Sequence, residues 1–563
     1  MRRRLRYAAL LLGIPFLAPV VVRAAGPLLV SGAGEAARWG VFPVPYNPDR
    51  GSLGTLDNAS ALALVQAEVG VWSSVATADL PFVNAGALPV DVTGANWQDF
   101  LPKCDGLSPV VFDRDGAITE AVLGPLSSSF ILGFAAPECA VFQDPNITII
   151  ESYAVLNGRF IDGHPDPEVP LSTFEGVIAH EFGHYLGLDH SQIGLLESGD
   201  TDVGNNEAIA TMFPIAVDDT DFLTLHLDDR VSVSMLYPAP AFATDFGTIA
   251  GDIFLKDGTT PFQGAYVVAR AVGDPRMTAV GITSGDHFVP GNPFGPPPPE
   301  LEGRYVIPGL PPGDYTLEVE PVNEFFRGGS SVGPLEFQRL LPGPSEFWNG
   351  ANEAGYDPPD DPGDAVPLAV AAGTTVNDID VLLNPPVNDH CETATPIVEV
   401  PYASEPFVQK FDTSQAETDP TDPVQSCTEG GPSQNATSVW WSFLPPTNGI
   451  LYVSTVFSHG LEVIFGQTGY DTVVSIHTGT CGNLTEVACD DNGPFPSHDA
   501  YRNGRVPVTV SAGVPIYIEG HRKGRSAGRR DEHPRAVHAR QPHLSAGRRR
   551  SHRSQEADPQ QPR

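Results

Sequence analysis

Basic residues are scarce in this chain. Against 69 Asp and Glu there are 32 Lys and Arg, a formal net charge of −37 at pH 7. The imbalance is sharper in the body of the chain. Residues 1–24 hold five arginines and no acid, and residues 521–563 hold twelve Lys/Arg against four acids. So acidic a body repels polyphosphates and anionic lipid. That excludes nucleic acid as a partner and suits an exported protein, or one that holds calcium. Long apolar runs are also lacking: beyond Val22 no segment is long and apolar enough to cross a bilayer, so no transmembrane segment is expected in the mature chain. Cysteine is limited to six residues, none in a C-x-x-C, which argues against a cysteine-based zinc site.

The one apolar run, Tyr7–Val22, follows a basic start and precedes the small residues Ala24 and Ala25. That order predicts a secretory signal over residues 1–24, cleaved after Ala24, with a membrane anchor as the alternative. An even cysteine count in an exported chain predicts disulfides. Proximity along the chain pairs Cys104 with Cys139, Cys391 with Cys427, and Cys481 with Cys489.

A chain of 563 residues exceeds a single core, and its 57 Gly and 56 Pro favour strands and turns. Residues 38–47 read as an early strand. In residues 58–76, Leu62, Val65, Val69 and Trp72 recur at spacings of three and four, the apolar stripe of a helix. Pro109–Phe112 and Ile147–Leu156 read as strands. Ser172 and Glu175 form a capping box, which predicts a helix from about Thr173. From residue 246 to 385, short alternating runs split by Gly/Pro turns predict an all-β sandwich with a long loop at Pro296–Pro299. A third, all-β segment runs over 388–520. Residues 521–563 contain no Phe, Trp, Tyr, Ile or Met and are expected to be disordered. The last strand breaks off after Glu519, as a shifted reading frame would make it; a polyanion-binding tail is the alternative.

The chemistry lies in His180-Glu181-x-x-His184-x-x-Gly187-x-x-His190. Four-residue spacing puts His180 and His184 on one helix face, where both imidazoles can share one Zn²⁺ at about 2.0–2.1 Å. Glu181 is placed to deprotonate a water. Gly187 permits a positive φ, so the chain leaves the helix sharply and returns His190 as third ligand. Three neutral imidazoles leave one coordination position open. A histidine-rich core helix is the competing reading, and it would leave three imidazoles and a carboxylate clustered without partners.

This pattern is that of the metzincins, and HEFGHYLGLDHS, with Ser191 after the third histidine, resembles the matrixin branch. ATMFP resembles the matrixin Met-turn, which implies that Met212 forms a floor beneath the metal. LDDRVSVSMLYP resembles the helix that closes that domain. The resemblance covers roughly 38–238, most of it carried by 172–238. It implies an α+β metzincin (zincin) catalytic domain over 38–240, with a mixed sheet and active-site helix. It also implies one catalytic Zn²⁺ and an edge strand, Ile147–Leu156, that binds substrate. No matrixin-type pro-domain or P-R-C-G switch is present, nor the histidines of a second zinc; His164 reads as a remnant of these or as a solvated loop residue. Phe213 replaces the usual Tyr after the methionine, and a pappalysin-like metzincin is a rival that Ser191 and ATMFP argue against.

Residues 246–385 resemble a carboxypeptidase regulatory-like (transthyretin-like) β-sandwich through GRYVIPGLPPGDYTLEVE. Residues 388–520 resemble a bacterial pre-peptidase C-terminal domain through NDHCETATPI and YDTVVSIHTGTCGNLTEVACDDN. Asp113-Arg114-Asp115-Gly116 fits a calcium loop or an ordinary turn. Asp471, Asp490 and Asp491 fit a calcium site or polar loops, and Trp440 and Trp441 fit substrate contact or packing. The expectation is a secreted zinc metalloendopeptidase acting on extracellular proteins or peptides. Its alternative is a surface-binding or adhesive protein with an inactive zincin scaffold.

Overall fold

The structure is a computed structural model. It describes residues 26–522 and Val537–Arg540, apart from 32–34, 144–145, 166, 201, 218–223, 286–298, 324–339, 351–352, 354–361, 399–406, 410–411, 414, 418, 420, 429–435, 456–471 and 492–503. The expected signal at 1–24, Asp471 and most of the proline run lie outside the described residues. The chain divides into two compact units, residues 1–385 and 386–563.

The first unit opens with β1 (Arg38–Trp39), β2 (Val44–Pro48), α1 (Asn58–Ser73), β3 (Phe82–Asn84), β4 (Pro109–Asp113) and α2 (Ala117–Leu123). There follow β5 (Gly133–Gln143), β6 (Asn146–Asn157), α3 (Leu171–Tyr185), α4 (Leu195–Gly199), α5 (Leu227–Leu236) and α6 (Pro240–Asp245). Strands β1, β6, β4, β2 and β3 form a parallel sheet in that order. β5 pairs antiparallel with β6 from Gly133↔Leu156 to Gln143↔Asn146.

Successive side chains of a strand point to opposite faces, and β4 shows the result. Val110 and Phe112 enter one core, with Val65, Val69 and Trp72 of α1 and Phe174, Ile178 and Phe182 of α3. Val111 enters a second core with Val155 and Ile118. The stripe predicted for α1 is therefore its buried face, and Trp72 ties the two helices by donating Nε1–H to the Ala179 carbonyl at 2.8 Å.

The capping box expected at Ser172 does not form. α3 starts at Leu171 behind Pro170, and no side chain caps it, because Ser172 already lies inside the first turn. Ile147–Leu156, expected to be an edge strand, is not one. β6 is covered along one side by β5 and at both ends of the other by β1 and β4, so the outer strand beside α3 is β5.

The rest of the first unit is β7 (Gly247–Phe254), β8 (Ala265–Ala271), β9 (Asp274–Thr283), β10 (Arg304–Leu310), β11 (Gly313–Pro321), β12 (Glu346–Phe347), β13 (Leu368–Val370), β14 (Thr375–Val376) and β15 (Val381–Leu382). One sheet orders β10-β7-β14 with β15 on β7; the other orders β12-β11-β8-β9 with β13 on β11. Ile249, Ile253 and Ile307 from the first sheet meet Val267, Leu317 and Ile282 from the second in one core.

The second unit holds β16 (Thr395–Ile397), β17 (Phe407–Gln409), β18 (Ala436–Phe443), β19 (Gly449–Ser454), β20 (Thr472–Thr480), β21 (Asn483–Asp490), β22 (Arg505–Val510), β23 (Ile516–Arg522) and β24 (Val537–Arg540). Its sheets order β16-β18-β23-β20-β21 and β17-β24-β19-β22. Trp440 and Trp441 are both buried, so packing is their role.

β23 runs through His521 and Arg522, and Val537–Arg540 pairs with β17 and β19. The remainder of 521–563 lies outside the described residues.

The expected class, an α+β metzincin domain with an active-site helix followed by two sandwiches, is overturned for the chain. Among the described residues helix accounts for 21% and strand for 37%, so the described chain is mainly β. The helical signal was strong but local. The Gly/Pro-punctuated sequence beyond residue 246 builds sheets almost throughout and sets the class.

Cys104–Cys139 is bonded as expected. The other two pairs are Cys391–Cys481 and Cys427–Cys489, which overturns pairing by proximity. Cys481 sits in the turn between β20 and β21, while Cys489 lies near the far end of β21. At about 3.3 Å per residue, some 20 Å of extended strand separates them, far beyond the roughly 7 Å limit between bridged Cα atoms.

Candidate metal centre

α3 carries His180, Glu181 and His184, all buried. At its C-terminus Gly187 adopts φ 93°, and a Cβ there would lie 3.1 Å from Ile149 Cδ1. Only glycine suits that reversal. The chain then folds back: Leu188 N–H donates to the Gly183 carbonyl at 2.9 Å, and His190 comes to lie beside the two helix histidines. The N-terminal segment clasps the same loop, with Leu28 N–H donating to Gly187 O at 2.6 Å and Asp189 N–H to Gly26 O at 3.0 Å.

His180 Nδ1 lies 2.7 Å from the Thr211 carbonyl, and His184 Nδ1 lies 2.8 Å from the Leu188 carbonyl. A carbonyl can only accept, so each Nδ1 carries the proton and each Nε2 presents a lone pair. Yet His184 Nε2 lies 3.1 Å from His180 Nε2 and 3.1 Å from His190 Nε2. Between His180 and His184 no proton is left to bridge the nitrogens. Two lone pairs facing each other repel unless a cation lies between them. Two ligands on a tetrahedral ion with bonds of about 2.05 Å are about 3.3 Å apart, so the donor set fits such an ion. Burial holds both imidazoles neutral: His180 is pushed down to about 3, with His184 adding to the effect, and His184 to about 4.

Glu181 is 1% exposed, and burial pushes its carboxyl well above the ordinary carboxylate range. Its Oε2 has no hydrogen-bond partner among the described residues. The carboxyl lies against β5 at Gly133, where a Cβ would be 2.9 Å from Oε1.

Met212 lies below the helix with its sulfur against Gly183. Its turn is held by Asp229, whose carboxylate accepts from Thr211 N–H at 2.8 Å and Met212 N–H at 2.9 Å. The same carboxylate closes the N-terminus of α5 by accepting from His226 N–H at 2.8 Å. Burial raises Asp229 to about 6. Gly183, Gly133 and Asp229 were not singled out from the sequence. The adjacent acids in LDDR, at the start of a helix, were the available signal for Asp229; nothing local marks Gly133.

Other expected sites resolve as structure. Asp113 accepts from Ile118 N–H at 3.0 Å and from Thr119 N–H and Oγ1–H at 2.8 Å each, which is a turn closing onto α2. His164 is exposed in its loop. Phe213 is buried against Tyr266 and Val268. Among the described residues, His180, His184 and His190 are the one group of three or more His, Cys, Asp or Glu with ligand atoms close enough to share a metal.

No protein-family model matches the chain, and no curated protein matches it in sequence. Among solved structures it is similar to the carbohydrate-binding module CsCBM6-3 from Clostridium stercorarium in complex with cellobiose, at 13% identity over 26% of this chain and 96% of that one, TM-score 0.14. It is similar to a family 35 carbohydrate-binding module from Clostridium thermocellum at 9% identity over 25% and 95%, TM-score 0.13. The major pilin SpaD from Corynebacterium diphtheriae is similar at 10% identity over 53% and 64%, TM-score 0.14. At such scores these likenesses say nothing about function. No helix among the described residues is long and apolar enough to cross a membrane.

Proposed function

We propose that this chain is a secreted, zinc-dependent endopeptidase that hydrolyses extracellular proteins or peptides. The observation that carries the reading is the 3.1 Å approach of His180 Nε2 and His184 Nε2 when both Nδ1–H groups are committed to carbonyls. His190 Nε2 meets the same point at 3.1 Å from His184 Nε2. A zinc ion held there would supply Lewis acidity toward a water and the scissile carbonyl.

The chain's own groups do the rest. Glu181 takes a proton from the attacking water as its oxygen bonds to the carbonyl carbon. It then gives that proton to the amine nitrogen as the C–N bond breaks, so the carboxyl ends as it began. No covalent enzyme intermediate is needed. The outer side of β5, which pairs with no other strand among the described residues, offers backbone groups to an extended substrate beside Glu181.

The test is metal analysis of the full chain together with casein or gelatin digestion before and after chelation. One equivalent of zinc, and cleavage abolished by the chelator and restored by zinc, are expected. A zinc-loaded chain that leaves casein, gelatin and a peptide library intact refutes the reading.

A further inference from the structure

The metal loop is anchored to the two-sheet module of its own unit. Ser191, next to His190, donates its hydroxyl to Asp228 Oδ2 at 2.6 Å, and Asp228 Oδ1 accepts the Gly281 N–H of β9 at 2.8 Å. Gln192 spans the same boundary. Its Nε2 donates to the Pro321 carbonyl at 3.1 Å, and its Oε1 accepts the Asn323 N–H at 2.7 Å. Ser191, Gln192 and Asp228 are 1%, 2% and 0% exposed, so water does not compete for these bonds. Apolar side chains seal the contact: Ile193, Ile209 and Phe213 share one cluster with Tyr266, Val268 and Val322. Within the module the bare Gly281 leaves room for the Tyr266 ring, since a Cβ there would lie 2.2 Å from Tyr266 Oη.

His180 and His184 ride on a helix, but His190 comes from irregular chain beyond Gly187. A ligand on such a loop must be ordered before it can bind, and that entropy is subtracted from affinity unless other contacts have already ordered it. Gln192 and the Ser191–Asp228–Gly281 chain are such contacts, and both end on β-sheet residues far along the sequence.

We propose that the module of residues 247–382 is a built-in brace for the third imidazole, with Ser191, Gln192 and Asp228 as positioning residues that set metal affinity. This rests on the zinc reading of the three histidines. The accessory module is thus part of the metal centre.

The experiment measures zinc affinity of the full chain by competition with a chromophoric chelator, alongside Tm of the metal-free protein. The variants are Ser191→Ala, Gln192→Ala and the double change. The control is Tyr305→Phe, which removes a buried hydrogen bond from Tyr305 to the Ile379 carbonyl within the module. The double variant is expected to bind zinc roughly 10–100-fold more weakly, as loss of supporting contacts around a metal site typically does. Each single variant is expected to fall between it and the parent, which serves if the double variant does not fold. Tyr305→Phe is expected to lower Tm and leave zinc affinity within about twofold, a split that a purely structural role would not give.

Parent-like affinity in both single variants overturns the brace, as does equal weakening by Tyr305→Phe. A parent that binds no zinc overturns brace and peptidase reading together. A zinc-binding parent that cleaves nothing, with affinity still weakened in the variants, removes the peptidase reading alone.

Discussion

Gly183 and Met212 are in contact so close that a Cβ on Gly183 would lie 2.2 Å from the Met212 sulfur. Trp72 Cζ2, at 3.1 Å from the same point, and the burial of Met212 at 1% exposure leave the thioether little room to withdraw. Gly183→Ala is therefore expected to destabilise the protein by about 1–3 kcal/mol through overpacking. Thermal denaturation of the metal-free protein reads this directly, and an unchanged Tm would show that the turn at Met212 yields easily.

Glu181→Gln keeps the shape of the side chain and removes its basicity. Zinc content is expected to stay at the parent value while turnover falls at least about 100-fold, the lower range for losing a general base. Near-parental turnover in the Gln variant would assign the proton transfer to another group.

Glu68 is a pH-dependent liability. It is 5% exposed on α1 with Oε2 unpartnered among the described residues, and burial, with Glu175 facing it, pushes its carboxyl up to about 7. The folded state therefore binds this proton more tightly than the unfolded chain, whose value is 4.5. Below the unfolded value both states are protonated and the full stability is present; stability is lost as pH rises toward the folded value. Glu68→Gln should raise Tm by about 2–4 °C at pH 8 and have little effect near pH 4.5. An equal gain at both pH values would trace the effect to packing instead.

The disulfide framework is open to peptide mapping. Proteolysis of the unreduced protein should yield fragments linking Cys391 to Cys481 and Cys427 to Cys489. Fragments linking Cys391 to Cys427 would refute the strand order of the second unit, which sets Cys489 on β21 opposite Ser475.

Features that depend on neighbours along the chain were legible in the residues. The helix of α1, the strands β4 and β6, and the spacing of His180, His184 and His190 follow from local periodicity, and the structure brings those imidazoles together. Turning at Gly187 was legible because one backbone torsion demands a residue without Cβ. Which strand lies at the sheet edge was not, because Pro137 and Glu138 interrupt the apolar run of β5, and without β5 as a strand nothing in the sequence marks what covers β6. Disulfide partners were misread because distance along an extended hairpin is a poor guide to distance in space.

By itself the sequence determined an acidic composition, the want of any run beyond Val22 long and apolar enough to cross a membrane, and three histidines with a carboxylate at ligand spacing. Only the tertiary structure decided that β5 flanks Glu181 and that Asp228 joins Ser191 to Gly281. The reason is physical. Backbone torsion and side-chain period act over a few residues, whereas burial and hydrogen-bond pairing couple groups as distant in sequence as Gln192 and Asn323, whose contact no local pattern encodes.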